Sequence, residues 1–383
     1  MSDPLETGLA LSGGGYRAML FNLGSVWRLN DMGWLRRLDI VTSVSGGSIL
    51  NGVLATRWTK LDWNAAGVAT NFSEIIAQPV RAIAGTTLDV VAGLKGVFSV
   101  FSTIADKVTD AYDRHLFGGA RLQRDIAPFE KGRTPRFLFY ATSLQTGSNV
   151  RIERKRLADY RIGEIPNPDL PVARVVTASS AFPPLLSPVA LDLDPKAWRP
   201  LQGASLFDRQ EFKRRLLLTD GGVYDNMGLE AIWDRCKTVL VSDAGAPFEP
   251  QTDPPAHWTR QAIRVLDIVT EQTRALRRRM LMQTFQQNHE EGRTDERPAA
   301  RRGTYWGIKT QIGAYGVDHP LTDDNTNTLA LQQIRTRLNK FTPIEQGQLI
   351  NWGYALTDAA MRKYVDAANT APSRWPIPEF PLK

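Results

Sequence analysis

The sequence predicts an α/β protein: a three-layer α/β/α sandwich with a mainly parallel central sheet and a helical insertion. Three observations predict it. Two strand–turn–helix units follow one another before Trp58. Both turns are built from Gly and Ser. Short apolar runs of the kind that form buried strands then return from Arg136 onward. Successive strand–helix units favour a parallel sheet covered by helices on its faces.

Gly8-Leu9-Ala10-Leu11-Ser12 is the first apolar strand, and three glycines follow it. The next segment is helical, with Met19, Leu20, Leu23, Val26 and Trp27 on one face and Gly33 as its stop. Asp39 to Val44 is the second strand, interrupted by Ser45-Gly46-Gly47, and Ser48 to Trp58 the second helix. Leu61 to Asp125 is helical in pattern and reads as an insertion. Arg136 to Ala141 resumes the sheet, with Asn149 to Ile152 as a hairpin partner. Leu216 to Thr219 and Thr238 to Ser242 are two more strands. Trp258 to Phe285 is a long helix with Ile263, Leu266, Val269, Leu276 and Met280 as its apolar stripe and Arg274 and Arg277 to Arg279 off it. Gln287 to Gly303 is polar, contains Pro298 and reads as an exposed loop. Thr342-Pro343-Ile344-Glu345 is a capping box with proline at the first helical position, opening a last helix toward Val365. The expected organisation is one domain over residues 1–383, with the insertion at about 61–125.

The chain has 383 residues, 42% of them apolar, which is enough for a sizeable core. Cys236 is its one cysteine, so an intramolecular disulfide and a cysteine-held zinc are excluded. No run reaches the apolar length of a membrane span, and Met1 to Glu6 lack the pattern of a secretory leader. The expected setting is cytoplasmic, with peripheral contact at the inner membrane face as an option. The 47 basic residues against 40 acidic give a net charge of +7. That is a modest excess, and without a zinc finger, RNA-binding signature or basic zipper it does not point to nucleic acid.

Chemistry concentrates in three turns. Ser45 sits where an apolar strand stops and a helix starts, flanked by Ser43, Gly46 and Gly47. A sharp strand-to-helix turn lifts a hydroxyl off the sheet edge, and small neighbours keep its tight backbone free of clashes. The usual pattern is Gly-x-Ser-x-Gly; here Ser43 replaces the first glycine. Gly13-Gly14-Gly15 between strand and helix exposes backbone N–H groups, which can hold an oxyanion or a phosphate. Gly13-x-Gly15-x-x-Ala18 also satisfies the dinucleotide fingerprint, but the second strand ends at Val44-Ser45-Gly46 without the acid that fingerprint requires. Asp220 ends a buried strand and is followed by Gly221-Gly222. In an open parallel sheet the strands' carboxyl ends share one crevice, so Asp220 is expected near Ser45, where it can act as general base. The histidines, His115, His257, His289 and His319, lie outside such turns, which favours a Ser–Asp pair over a Ser–His–Asp triad.

In order and spacing these elements resemble the patatin-like phospholipases. The likeness rests on Gly13-Gly14-Gly15-Tyr16-Arg17, Ser43 to Gly47 and Asp220-Gly221-Gly222. Ala178 to Pro184 and Asn351-Trp352-Gly353-Tyr354-Ala355 are similar to segments of bacterial members. The resemblance implies an α/β/α sandwich, Ser45 as nucleophile and Asp220 as base. It implies an oxyanion hole at Gly13, Gly14 and Gly15 supported by Arg17, with no metal and no cofactor. The implied substrate is an acyl lipid or phospholipid. Two other readings stand beside it: a nucleotide-binding protein using the Gly13–Ala18 turn, and a catalytically inactive scaffold of the same fold. Within the insertion, Val91, Leu94, Val97, Phe98, Phe101 and Val108 share one face of a helical pattern over 79–108, which fits either a lid over the site or a helix packed in the core.

Overall fold

A strand buried on both faces has no polar side to show, and the first strand, β1 (Leu5–Leu11), is of that kind. In the computed structural model, which describes residues 5–88, 104–246, 248–290 and 301–383, β1 lies at the middle of a sheet. Helix α1 (Gly15–Asp31), strand β2 (Ile40–Ser43) and helix α2 (Gly46–Arg57) follow. The remaining strands are β3 (Arg136–Ser143), β4 (Asn149–Glu153), β5 (Arg156–Asp159), β6 (Gly163–Pro166), β7 (Val189–Asp192), β8 (Arg215–Asp220), β9 (Cys236–Asp243) and β10 (Arg302–Gly307). They form one sheet in the order β10-β9-β1-β2-β3-β4-β5-β6, with β7 and β8 attached through β3. The pairs from β10 to β3 are all parallel. From β3 outward, pairing through β4, β5 and β6 is antiparallel.

Alternation along the central strands splits the core into two layers, as a period of two requires. Leu9, Leu11, Val41, Phe137, Phe139 and Leu240 face one layer, with α1, α2 and the helix Pro343–Tyr364. Ala10, Ile40, Leu138, Tyr140, Val239 and Val241 face the other, with Met227, Ile232 and Leu281. The result is the three-layer sandwich. The last helix is capped as expected, Thr342 and Glu345 each bonding the other's backbone. It lies so close to α1 that a side chain at Gly24 would strike the carbonyl of Ile350, and one at Gly353 that of Phe21. Arg28 and Asp358, both 1% exposed, form an ion pair across this junction at 2.6 Å.

The segment 61–125 contributes Phe72, Ile76, Val80, Ile83, Tyr112 and Leu116 to the same core. Of the amphipathic face over 79–108, Val108 is buried; Val91, Leu94, Val97, Phe98 and Phe101 lie outside the described residues.

Two expectations need correction. The polar stretch Gln287 to Gly303 is not one loop: the helix Trp258–Glu290 runs into it, and Arg302 and Gly303 open β10 at the sheet edge. The apolar stripe of that helix does not face the protein. Val269, Leu276 and Met280 are 51%, 58% and 39% exposed, whereas Arg274 is only 5% exposed. The guanidinium of Arg274 tolerates burial because it meets Asp243, Glu271 and the carbonyl of Ala246. Paired charge can be buried; unpaired charge cannot.

Removing one partner of a buried ion pair strands the other charge. Asp358→Ala should therefore destabilise the fold by about 3–5 kcal/mol in denaturant titration. A loss under about 1 kcal/mol would show that the junction of α1 with the last helix does not depend on the pair.

Candidate active site

β3 has two edges. One is filled along its length by β4, paired from Leu138 to Thr142. The other is shared: β2 occupies it up to Ser43↔Phe139, and β8 occupies it from Ala141↔Asp220 onward. β2 is parallel to β3 and β8 antiparallel, so the two run toward each other and stop with Tyr140 between their last partners. Asp220 thus reaches Ser45, but the expected route was wrong. The two turns do not share the carboxyl edge of a parallel sheet; they meet head-on along one neighbour.

Ser45 turns the chain from β2 into α2 with φ 53 and ψ −121, a conformation that is costly for a residue with a side chain. Its N–H is fixed by the Ser179 carbonyl at 3.1 Å and the Ser179 hydroxyl at 3.2 Å. A side chain at Gly46 would strike the carbonyl of Gly15, and one at Gly47 that of Leu11, so both positions admit only glycine. Ser43, where the usual motif has glycine, is fully engaged: its hydroxyl donates to the Leu138 carbonyl and accepts from Ser48 and Asn51.

Asp220 is 1% exposed. Its N–H donates to the Ala181 carbonyl at 3.0 Å and its carboxylate accepts from the Gly222 N–H at 2.7 Å; the Ser45 hydroxyl lies beside the carboxylate. Burial pushes its pKa up from 3.8 to about 6, with the Gly222 N–H and the Ser45 hydroxyl pulling the other way. Behind it, the buried phenol of Tyr112 lies 3.3 Å from the Ser180 hydroxyl; burial and the charge of Asp220 both raise the phenol's pKa.

The three glycines differ in their roles. A Cβ at Gly13 would sit 2.9 Å from that of Ser45, so glycine here permits the close approach of the two turns. The Gly13 N–H is spent on the carbonyl of Asn226, which corrects the expectation that it is an oxyanion donor. The N–H groups of Gly14, Gly15 and Gly46 find no acceptor among the described residues. Arg17, 1% exposed, donates to the carbonyls of Gln332, Ile334 and Ala244. It ties the glycine loop to two neighbouring segments. Burial and the nearby Arg274 lower its pKa to about 10.

A phosphate at this loop would need the N-terminus of α1 free. Instead the Tyr16 N–H donates to the Arg337 carbonyl, and the Thr336 carbonyl lies against Gly15. With the Tyr16 N–H spent, the start of α1 offers a phosphate one donor fewer. His115, His257 and His319 are all exposed at the surface. Sequence reasoning missed Asn226, whose side chain lies against Gly13 and Gly222. Its one signal was an i+4 spacing from Gly222. The expected Gly221 and Gly222 both fall in this turn, where a side chain at Gly221 would come 2.6 Å from the Tyr140 carbonyl.

The sequence model of the patatin-like phospholipases matches residues 9–233. The chain belongs to that family. A Saccharomyces cerevisiae protein bearing the name meiotic phospholipase SPO1 is 44% identical over 48 residues, 12% of this chain and 8% of that protein. Human GIVD cytosolic phospholipase A2, solved with a methyl γ-linolenyl fluorophosphonate inhibitor, aligns with a TM-score of 0.47 at 15% identity, over 93% of this chain and 58% of its own. VipD from Legionella pneumophila aligns at 0.37 and 16% identity, over 93% and 66%. The chain spans about six-tenths of the length of the human protein with which it aligns.

The Ser43 hydroxyl makes three bonds that glycine cannot. Ser43→Gly restores the common motif yet should cost about 1–3 kcal/mol, because buried donors on Ser48 and Asn51 each lose an acceptor and the Leu138 carbonyl loses a donor. Thermal or chemical unfolding would measure it; a stabilised variant would show that Ser43 merely fills the glycine's place.

Proposed function

We propose that this chain is a serine acyl hydrolase that cleaves acyl esters of lipids or phospholipids, with Ser45 as nucleophile and Asp220 as general base. The observation that carries the reading is the meeting of β2 and β8 along β3, which sets the Ser45 turn against the buried carboxylate of Asp220, where burial raises the pKa to about 6. A base of that strength is ionised at neutral pH yet accepts a proton readily. Family membership supplies the lipid class of the substrate.

In this reading Asp220 takes the proton as Ser45 Oγ attacks the ester carbonyl. The tetrahedral oxyanion is held by the N–H groups of Gly14 and Gly15, joined by Gly46 at the start of α2. Such donors, fixed before the reaction, are worth about 3–4 kcal/mol each. Collapse breaks the ester C–O bond, and Asp220 returns the proton to the departing alkoxide. Water, deprotonated by the same carboxylate, then attacks the acyl-serine; the fatty acid leaves and Ser45 is reprotonated. Arg17 supports the glycine loop, and Ser43, Gly46, Gly47, Gly221 and Gly222 shape the turns. No step calls for a metal or cofactor. We read the chain as one catalytic domain in which 61–125 is an insertion sharing the core. Among the described residues no helix is long and apolar enough to cross a membrane. A bilayer substrate then implies peripheral contact.

Ser45→Ala and Asp220→Asn should each abolish hydrolysis of a soluble ester, and each should cost nearly as much as the double change, because the two residues act as a unit. An active-site phosphonate should label Ser45 in the wild type. Near-normal turnover by Asp220→Asn, or labelling elsewhere, would defeat the assignment.

The raised pKa makes two further demands. Activity should fall as pH drops through about 6, where Asp220 gains its proton. The native state binds that proton more tightly than the unfolded chain does, so this group's favourable contribution is present below about pH 4 and is lost as pH rises through about 6. Asp220→Asn escapes that loss. It should match the wild type in stability at pH 4 and exceed it at pH 8 by on the order of 2–3 kcal/mol. Equal stabilities at both pH values would show that burial does not penalise the charge.

A further inference from the structure

The helix Trp258–Glu290 is 33 residues long, about 50 Å at 1.5 Å per residue. It rests on the protein along one side only. Arg274 meets Asp243 and Ala246, Arg277 lies 3.6 Å from the buried Asp225, and Leu281 enters the core. On the side opposite Arg274, residues Trp258, Ala262, Val265, Val269, Gln272 and Leu276 follow one another in alternating steps of four and three. That is the heptad spacing of a helix–helix seam. Trp258 is 74% exposed, Val265 and Val269 51%, and Leu276 58%.

The seam is wide as well as long. The positions flanking it carry Leu266, Ile268, Thr273, Ala275, Met280 and Met282, none of them charged. A helix that lies on a lipid surface keeps a rim of cations beside its apolar face. Here the cations are elsewhere or occupied: Arg264 donates to the Glu249 carbonyl and stacks on Phe248, and Arg274 and Arg277 hold the helix down. Arg279 is the one charged residue at a seam position between Trp258 and Gln283. A face without acids, and nearly without bases, meets an identical face without repulsion. Its exposed apolar side chains offer roughly 600–700 Å² per copy, against about 800 Å² per partner in a standard stable interface.

We propose that this face is covered by the same face of a second copy of the chain, through helix–helix packing about the Val265–Val269–Leu276 seam, with Gln272 as the polar residue that fixes its register. The proposal is independent of the catalytic reading.

Light scattering or sedimentation of the full chain tests it. The wild type should show twice the chain mass. Val269→Asp with Leu276→Asp should show one chain mass at an unchanged melting temperature; should the aspartates unfold the chain, Val269→Ser with Leu276→Ser serves in their place. Gln272→Leu should stay paired to a concentration about tenfold lower, since a polar residue in a seam costs stability. A wild type of single mass at the highest attainable concentration overturns the proposal, as does a dimer that survives the seam variants. If a monomeric wild type floats with anionic vesicles and the variants do not, the face belongs to a lipid surface and the proposal fails.

Discussion

One carbonyl oxygen, that of Ser179, accepts the N–H of Ser45 at 3.1 Å and the N–H of Gly221 at 3.2 Å. Two residues on, the Ala181 carbonyl accepts the N–H of Asp220. These carbonyls lie at the end of the helix Val172–Ser180, where the last turn has no intrahelical donors to satisfy it. The two turns that need fixing supply the missing N–H groups. A helix terminus and two strand ends thereby satisfy each other, and the Ser45–Asp220 contact follows. The negative end of the helix dipole also faces the turn that holds Asp220, and acts in the same direction as burial on its carboxylate.

The positive φ of Ser45 is sustained because the surroundings allow no relaxation. Its N–H is doubly held, Gly46 is pressed on Gly15, Gly47 on Leu11, and Gly13 on Ser45 itself. Local strain of order 1–3 kcal/mol persists where packing over-determines the backbone. The same packing that keeps the elbow strained brings the glycine loop and its free N–H groups against the serine.

The central strands were legible because a strand covered on both faces must be apolar throughout. Ser45, Gly46, Gly47 and the three glycines were legible because tight turns exclude Cβ atoms. Asp220 was legible as an acid at a strand end, though its approach was not: parallel and antiparallel strands present the same apolar run, and only pairing distinguishes them. Arg302 to Gly307, with two glycines and an arginine beside its aromatics, offers little apolar periodicity, so Arg302 and Gly303 were taken for loop and the rest of β10 was left unassigned. The Ser179 carbonyl could not be found from side chains at all, because what it contributes is backbone.

The helix Trp258–Glu290 shows where periodicity stops being informative. A stripe of Val269, Leu276 and Met280 states that one side differs from the other, not which side the protein uses. That choice was settled by partners remote in sequence. Asp243, buried in β9, holds its charge below the usual range: burial alone would raise its pKa, but Arg274, the Gly245 N–H and the Tyr305 hydroxyl outweigh burial. A carboxylate so placed requires a cation, and the long helix supplies one only by turning its arginines inward. Once Arg274 and Arg277 are committed to Asp243 and Asp225, the apolar stripe must point away from the sheet. Asp225 stands five residues after Asp220 and Asp243 two before Gly245, which packs beside Asn226. The charges that orient the helix are thus the ones that fasten the loops around the candidate site, and the outward seam is the cost of that fastening.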